Sequence, residues 1–385
     1  MRVAITGMGC LCAAGGTLPQ CMATLFRGHR APALPRRFST SHSDPYPVFE
    51  VPDFEESPDL LRTSAMGLAA AREALKDAGL DEDALKGLRV GVCVGTTMGS
   101  TLNDESFCRA FRRGETPDLE PMARIRRSNP AEVIARTFGF RGPCQTIVNA
   151  CSSGTDALGI GADWIEAGLC DVVIAGGADE LGRVTYSGFI SMKIADNTPC
   201  KPFDLNRKGL NLGEGAAMLV LQSETSRRGR ARGYLEGYGS ACDAYHQTAP
   251  HPEGLGLKRA LRQALGSVPV EDVAFVNVHG TGTPDNDKVE GRVLSELMPA
   301  VPFLSTKGYT GHTLGAAGAI EAAFTVACLE EGRIPPSVGF DTPDPDVGIC
   351  PVADITPIRS HRALSQSLAF GGNNAVVLLA KGERP

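Results

Sequence analysis

Apolar residues recur along this chain in short blocks that switch between two periods. Runs rich in Val, Ile, Leu and Ala fall at 2–6, 89–94, 145–149, 171–175 and 216–221. Continuous apolar blocks of that length, bounded by glycine and polar residues, predict buried strands. Between several of them the apolar positions return at helical spacing. The Ala- and Leu-rich segment 60–78, closed by Gly79, predicts one helix, and 152–167, followed by Gly168, predicts another. The alternation predicts an α/β fold with a mixed or mostly parallel sheet covered by helices on both faces.

After the basic stretch Arg227-Arg-Gly-Arg-Ala-Arg232 the pattern begins again. Strands are predicted at 233–239, 274–278, 302–305, 364–369 and 376–380, and helices at 255–265, 287–298 and 316–330. The second half echoes the first without evident identity. This predicts a duplicated α/β unit with halves 1–232 and 233–385, although an ordinary charged surface turn also accounts for the basic stretch. The Pro- and Ser-rich segment 32–58 lacks a clear period and predicts an irregular surface excursion.

Composition narrows the class. A chain of 385 residues with 42% hydrophobic and 21% charged residues has ample material for a globular core. A net charge of −6 argues against wholesale binding to nucleic acid or an anionic membrane, while leaving room for a local basic patch. No apolar stretch reaches the length of about 18 residues that a membrane span needs without interruption. The twelve cysteines include no CxxC pair, and the chain opens directly on a strand-like Val3-Ala-Ile-Thr-Gly7. Reduced thiols in a cytoplasmic protein are therefore expected.

Three residues stand where chemistry gathers in α/β proteins. Cys151 lies between the apolar run 145–150 and a helix opening on Ser152-Ser-Gly-Thr-Asp. A thiol there faces unpaired N–H groups and the positive end of a helix dipole. Such a setting lowers a cysteine pKa from roughly 8.5 into a range of about 3.5–7.5. An inert packing thiol fits the same position. His279 follows an apolar strand and opens His279-Gly-Thr-Gly-Thr283, while His312 sits in a polar loop before a helix of small residues. Emergence at strand ends suits ligand-facing groups. Metal ligation by the two histidines lacks zinc-like spacing and a third ligand.

Taken in order, Asn149-Ala-Cys-Ser-Ser-Gly154, His279-Gly-Thr-Gly-Thr283 and Lys307-x-x-x-Gly-His312 resemble the β-ketoacyl-acyl-carrier-protein synthases, the elongating condensing enzymes. Lys201-Pro-Phe-Asp204, Gly213-Glu-Gly215, Asp243-Ala-Tyr-His246 and Phe370-Gly-Gly-Asn-Asn374 extend the resemblance over nearly the whole chain. It implies the thiolase fold: two similar α/β halves in a five-layer α-β-α-β-α sandwich, usually a homodimer, with a heterodimer as the alternative. It implies decarboxylative Claisen condensation of an acyl thioester with a carrier-bound malonyl group. No cofactor is bound, because phosphopantetheine arrives on the acyl carrier protein. Metal is not implied.

The resemblance also assigns roles. Cys151 would carry the acyl chain, and His279 and His312 would stabilise the enolate. Lys307 would stand beside the imidazoles, favouring their neutral forms and supporting the thiolate, with Glu321 in support. Phe370 would gate the site and lend its N–H to an oxyanion hole; an aromatic core residue is the plain reading. Thr281 and Thr283 would hold the pantetheine arm, though both also suit a turn. Met98 falls near the position that sets acyl-pocket depth and is equally a core methionine. An acidic carrier calls for basic residues, for which Arg112, Arg113, Arg124, Arg126 and Arg127 are candidates, followed by Arg62. Glu55, Glu56 and Asp59 make the stretch before Arg62 acidic, where elongation synthases carry basic residues. The rival expectations are a synthase of a specialised polyketide or polyene pathway working with a partner subunit, and a non-catalytic chain-length-factor-like subunit. The latter class lacks the nucleophile that Cys151 supplies here.

Overall fold

A computed structural model describes residues 2–383 apart from 45, 56, 58, 98, 100–103, 226 and 228. Met98 and Glu56 thus lie outside the described residues. One sheet order runs through ten strands: β1 (Val3–Cys12), β2 (Val90–Gly95), β3 (Cys144–Ile147), β4 (Val172–Asp179), β5 (Gly215–Ser223), β6 (Gly233–Cys242), β7 (Val273–Asn277), β8 (Phe303–Leu304), β9 (Arg362–Ala369) and β10 (Asn373–Lys381). Their spatial order is β3-β2-β4-β5-β1-β6-β10-β9-β7-β8.

That order is symmetric about its middle. In the first five strands β3, β2 and β4 are parallel, and β5 and β1 follow antiparallel. In the other five, β8, β7 and β9 are parallel, and β10 and β6 follow antiparallel. Among the described residues, strands of the two units pair where Val3–Ile5 meets Gly233–Leu235. The echo in the apolar pattern is therefore a repeated topology.

Ten helices matter for the layers: α1 (Leu18–Phe26), α2 (Arg62–Asp77), α3 (Glu105–Arg112), α4 (Glu120–Arg127), α5 (Pro130–Phe138), α6 (Ser153–Glu166), α7 (Arg183–Ser191), α8 (Leu255–Leu265), α9 (Pro284–Leu297) and α10 (Ala317–Glu331). Helices α2 and α5 cover one outer face, and α8 with α9 the other. Between the two sets of strands lie α6 and α10, which touch each other and strands of both units. Their sequences explain that placement. From Ala317 to Leu329 every residue of α10 is buried, with no polar face to turn towards water. A helix apolar all round belongs inside. The layers are helix, strand, helix, strand, helix.

The predicted strands and long helices all form, with ends shifted by a few residues. One expectation is corrected: 145–149 reads as a buried strand, yet β3 is half exposed because it is an end strand with β2 on one side. Helices α1, α3, α4, α5 and α7 were not predicted from the apolar pattern. Helix α4 has no buried residue, and α1 is only nine residues long.

Candidate active site

The twin central helices carry two of the three chemical residues to one place. Cys151 ends the turn between β3 and α6, and His312 precedes α10 in the equivalent turn after β8. Ala150, immediately before the cysteine, adopts φ +49, a left-handed conformation that costs a non-glycine residue on the order of 1–3 kcal/mol. The surroundings hold it there. Ser153 Oγ donates to the Ala150 carbonyl at 2.6 Å and accepts from the Asn149 N–H at 2.8 Å. Asp156, on the first turn of α6, accepts from Asn149 Nδ2, Ser152 Oγ and, across the central layer, the Tyr238 hydroxyl of β6. Gly95 lets the end of β2 approach: a Cβ there would lie 2.2 Å from the Ser153 carbonyl carbon.

His312 is fixed through its backbone and its ring. Its N–H donates to Asn211 at 2.8 Å, and its carbonyl accepts from Gly213 at 2.9 Å. The Leu314 N–H donates to Nδ1 at 3.3 Å, and Nε2 lies 3.0 Å from Cys151 Sγ. Leu314 itself takes φ +54 to make that bond. An Nδ1 that accepts leaves the neutral ring's hydrogen on Nε2.

His279 leaves the end of β7, and its ring meets that of His312 edge-on with centroids 5.1 Å apart. Glu290 of α9 anchors the loop, accepting from the N–H groups of His279 and Gly280 at 2.8 and 2.6 Å. Gly280 needs to be glycine, since at φ +40 a Cβ would sit 2.6 Å from Ser305 Cβ. Behind the ring, Lys307 Nζ lies 3.3 Å from His279 Nδ1 and pairs with Glu321. An ammonium only donates, so His279 Nδ1 accepts and its hydrogen too is carried on Nε2.

Burial and charge set the protonation states. Burial, then the Lys307 charge, holds both His279 and His312 well below the ordinary histidine range, so both rings are neutral. Burial pushes the Cys151 thiol up to about 12, against the downward pull of Lys307 and of the Phe370 and Cys151 N–H groups. This corrects the expectation of a depressed cysteine pKa. The thiol is buried at the floor of the site, and the cost of desolvating a thiolate there exceeds the help of the helix end. Burial raises Glu321 to about 7 despite Lys307, and burial likewise raises Glu290 to about 7.

A cavity of about 280 Å³ opens onto Cys151, His279 and His312, with Thr281, Thr283 and Phe370 on its walls. Thr281 and Thr283 share a hydrogen bond of 2.8 Å between their hydroxyls. Phe370 stacks on Phe189 of α7 with centroids 5.6 Å apart. Lys307 and Glu321 are fully buried behind the histidines rather than in the cavity wall.

The arginines divide. Arg112 and Arg113 lie exposed at the end of α3, the latter 3.7 Å from Glu115, and Arg126 and Arg127 are exposed on α4, the latter paired with Glu120 at 2.6 Å. Arg124 is half buried and donates to the Leu60 carbonyl. Arg62 is no docking residue. It is 4% exposed and grips Glu214 through Nε at 3.0 Å and Nη2 at 2.6 Å. Glu214 also accepts from the Val51 N–H at 3.0 Å. The motif Gly213-Glu-Gly215 is thus a buried tie between α2 and the loop beside His312.

Sequence reasoning missed Glu290, Asp156 and Asp179. Asp179, at the end of β4, accepts from Thr96 Oγ1, the Thr97 N–H and the Gly315 N–H, stitching the end of β2 to the start of the second central helix. For Asp156 and Asp179 the available signal is a carboxylate in a run of small and apolar residues, which the protein buries only when donors surround it; Glu290, in the charged stretch 285–292, gives none.

A repeated five-strand unit with a thiol and two neutral imidazoles at the ends of its central helices and of β7 defines a condensing enzyme fold of the thiolase type. The β-ketoacyl synthase N-terminal domain matches residues 53–226, and the C-terminal domain residues 232–341. The chain belongs to the β-ketoacyl synthase family. It is 33% identical to a 3-oxoacyl-acyl-carrier-protein synthase 2 of Staphylococcus aureus, over 100% of this chain and 99% of that protein. It is 31% identical to the synthase of the same name from Synechocystis sp., over 99% and 98%. Among solved structures, the ishigamide ketosynthase/chain length factor superposes with a TM-score of 0.93 at 32% identity, covering 99% of each chain.

Proposed function

We propose that this chain is itself a β-ketoacyl-acyl-carrier-protein synthase, an acyltransferase that forms a carbon–carbon bond with loss of carbon dioxide. The observation that carries the reading is the Nε2 of His312 3.0 Å from Cys151 Sγ, in a cavity onto which a second neutral imidazole opens. In the first half-reaction the Cys151 sulfur attacks an acyl thioester, and the two backbone N–H groups beside Sγ receive the carbonyl oxyanion. The thiol proton leaves with the pantetheine sulfur, so a resting thiol suffices. The malonyl thioester then enters. Its carboxylate leaves as carbon dioxide, and the Nε2–H groups of His279 and His312 take the charge on the enolate oxygen. The enolate carbon attacks the acyl-Cys151 carbonyl and expels the cysteine sulfur.

Lys307 holds His279 in the donating tautomer, and Glu321 balances its charge. Thr281 and Thr283, at the cavity wall, would receive the pantetheine arm, and Phe370 the acyl group's entry. The carrier brings the phosphopantetheine, and the exposed arginines of α3 and α4 offer its acidic surface a landing place. Residues 1–232 and 233–385 are the two halves. The half-exposed end strand β3, with Val148 beside it at 68% exposure, is the edge across which a homodimer would form. Among the described residues no helix is long and apolar enough to cross a membrane, which suits a cytoplasmic enzyme.

The test is to incubate the protein with acyl- and malonyl-loaded carrier proteins and follow intact mass and products. An acyl adduct on Cys151, carbon dioxide and a β-ketoacyl product lengthened by two carbons are expected. A chain that takes no acyl group and releases no carbon dioxide, alone or with a partner subunit, is a non-catalytic subunit and sinks the reading.

A further inference from the structure

Away from the condensation site, β1 and α1 bring three cysteines together. Cys10 and Cys12 are two apart on a strand, so they share a face, and Cys21 of α1 lies over them. The Cys12 and Cys21 sulfurs are 3.6 Å apart, and all three sulfurs lie within 4.8 Å of one another. Each residue is completely buried. A cation held by three sulfurs at about 2.3 Å sets them about 4.0 Å apart, within the span found here.

The surroundings select the cation. Among the described residues the cluster holds sulfur alone. The neighbouring carboxylate, Glu73, is committed, since its two oxygens accept from the Cys10 and Leu18 N–H groups at 2.9 Å each. Zinc in a closed site takes four ligands. A sealed set of three soft donors suits a monovalent d¹⁰ ion better, because copper(I) prefers thiolate and tolerates low coordination. Entry is short, for Leu18 and Met22, which flank the Cys21 turn, line an open groove together with Pro19 and Phe26.

We infer that Cys10, Cys12 and Cys21 form a trigonal binding site for copper(I) that clasps α1 to β1. The ion enters already reduced, so no electron moves, and each thiol that becomes a thiolate ligand releases one proton to solvent. The site is independent of the condensation chemistry and stands whether or not that reading holds.

The test uses the full chain carrying Cys151→Ala, with the exposed Cys108, Cys144, Cys242 and Cys350 blocked by iodoacetamide in the native state. Copper(I) is offered anaerobically as its bicinchoninate complex. The expected result is one copper withdrawn per chain, with X-ray absorption showing three sulfur neighbours and no nitrogen or oxygen. Cys12→Val and Cys21→Ala should abolish uptake and the accompanying rise in thermal midpoint. Should either variant fail to fold, the absorption spectrum of the unaltered trio decides alone. Failure to withdraw copper, uptake unchanged in Cys12→Val, a nitrogen-rich coordination shell, or a Cys12–Cys21 disulfide in place of bound metal would each overturn the inference.

Discussion

The backbone N–H of Leu314 donates to Nδ1 of His312 at 3.3 Å, so the nitrogen that faces Cys151 carries the ring's hydrogen. Lys307 imposes the same orientation on His279 from the opposite side. Both imidazoles are thus donors, and neither has a free lone pair aimed at the cavity. A histidine acting as general base would have to surrender the bond at its back.

Replacing the donor should therefore matter more than replacing the base. His312→Ala should lower malonyl decarboxylation by about two to three orders of magnitude, the usual effect of losing one such donor. His312→Gln, whose amide N–H reaches part of the way, should keep a measurable share. Release of labelled carbon dioxide from malonyl carrier protein reads both. Equal loss in the two variants would mean that proton abstraction, not donation, is the role of that ring.

The sulfur and the imidazoles serve separate half-reactions. Cys151→Gln should abolish the acyl adduct and condensation while decarboxylation persists or rises, since the enolate donors remain in place. Intact-mass spectrometry and carbon dioxide release on the same sample check it. Loss of both activities in a folded variant contradicts that division of labour.

The protonation states predict two pH profiles. With Cys151 pushed up to about 12, carboxamidomethylation of the resting thiol should climb roughly tenfold per pH unit from 7 to 9 without a plateau. Both imidazoles lie well below the ordinary histidine range, so neither ring should take up a proton between pH 8 and about 6 in Cys151→Gln. Stopped-time peptide mapping gives the first profile, and imidazole NMR shifts give the second. An alkylation plateau below pH 8, or ring protonation centred near 6.5, would reverse these assignments.

Lys307 and Glu321 form a fully buried pair, in which each partner's charge relies on the other. Lys307→Met alone should destabilise the fold by about 3–5 kcal/mol, because Glu321 is left uncompensated. Lys307→Met combined with Glu321→Leu should recover much of that loss without recovering activity, since His279 loses its orienting donor. Urea unfolding of the three chains decides. A double variant no more stable than the single would remove the pair from the stability account.

Most of the architecture could be read in the apolar pattern, because its strands and central helices are buried on nearly every side. What escaped reading was held by tertiary context. The β3 segment carries strand-like residues, yet its burial depends on where it falls in the sheet. Helix α4 is only eight residues long and buries none of them, so its short apolar pattern is too brief to stand out. At the site, Cys151, His279 and His312 announced themselves through small-residue motifs. Glu290 and Asp179 did not, since a carboxylate that accepts backbone N–H groups looks like any surface acid until the chain has folded around it. The raised thiol pKa escapes the sequence for a related reason: a helix end is local, whereas burial is the work of the whole molecule.

Sulfur and imidazole come from opposite repeats, one at the head of each central helix. Disjoining the repeats by a few ångströms would leave every helix and strand intact while parting the reacting atoms. Mild denaturant should accordingly silence turnover ahead of any fall in circular dichroism, making catalysis the more sensitive gauge of how the two repeats are seated.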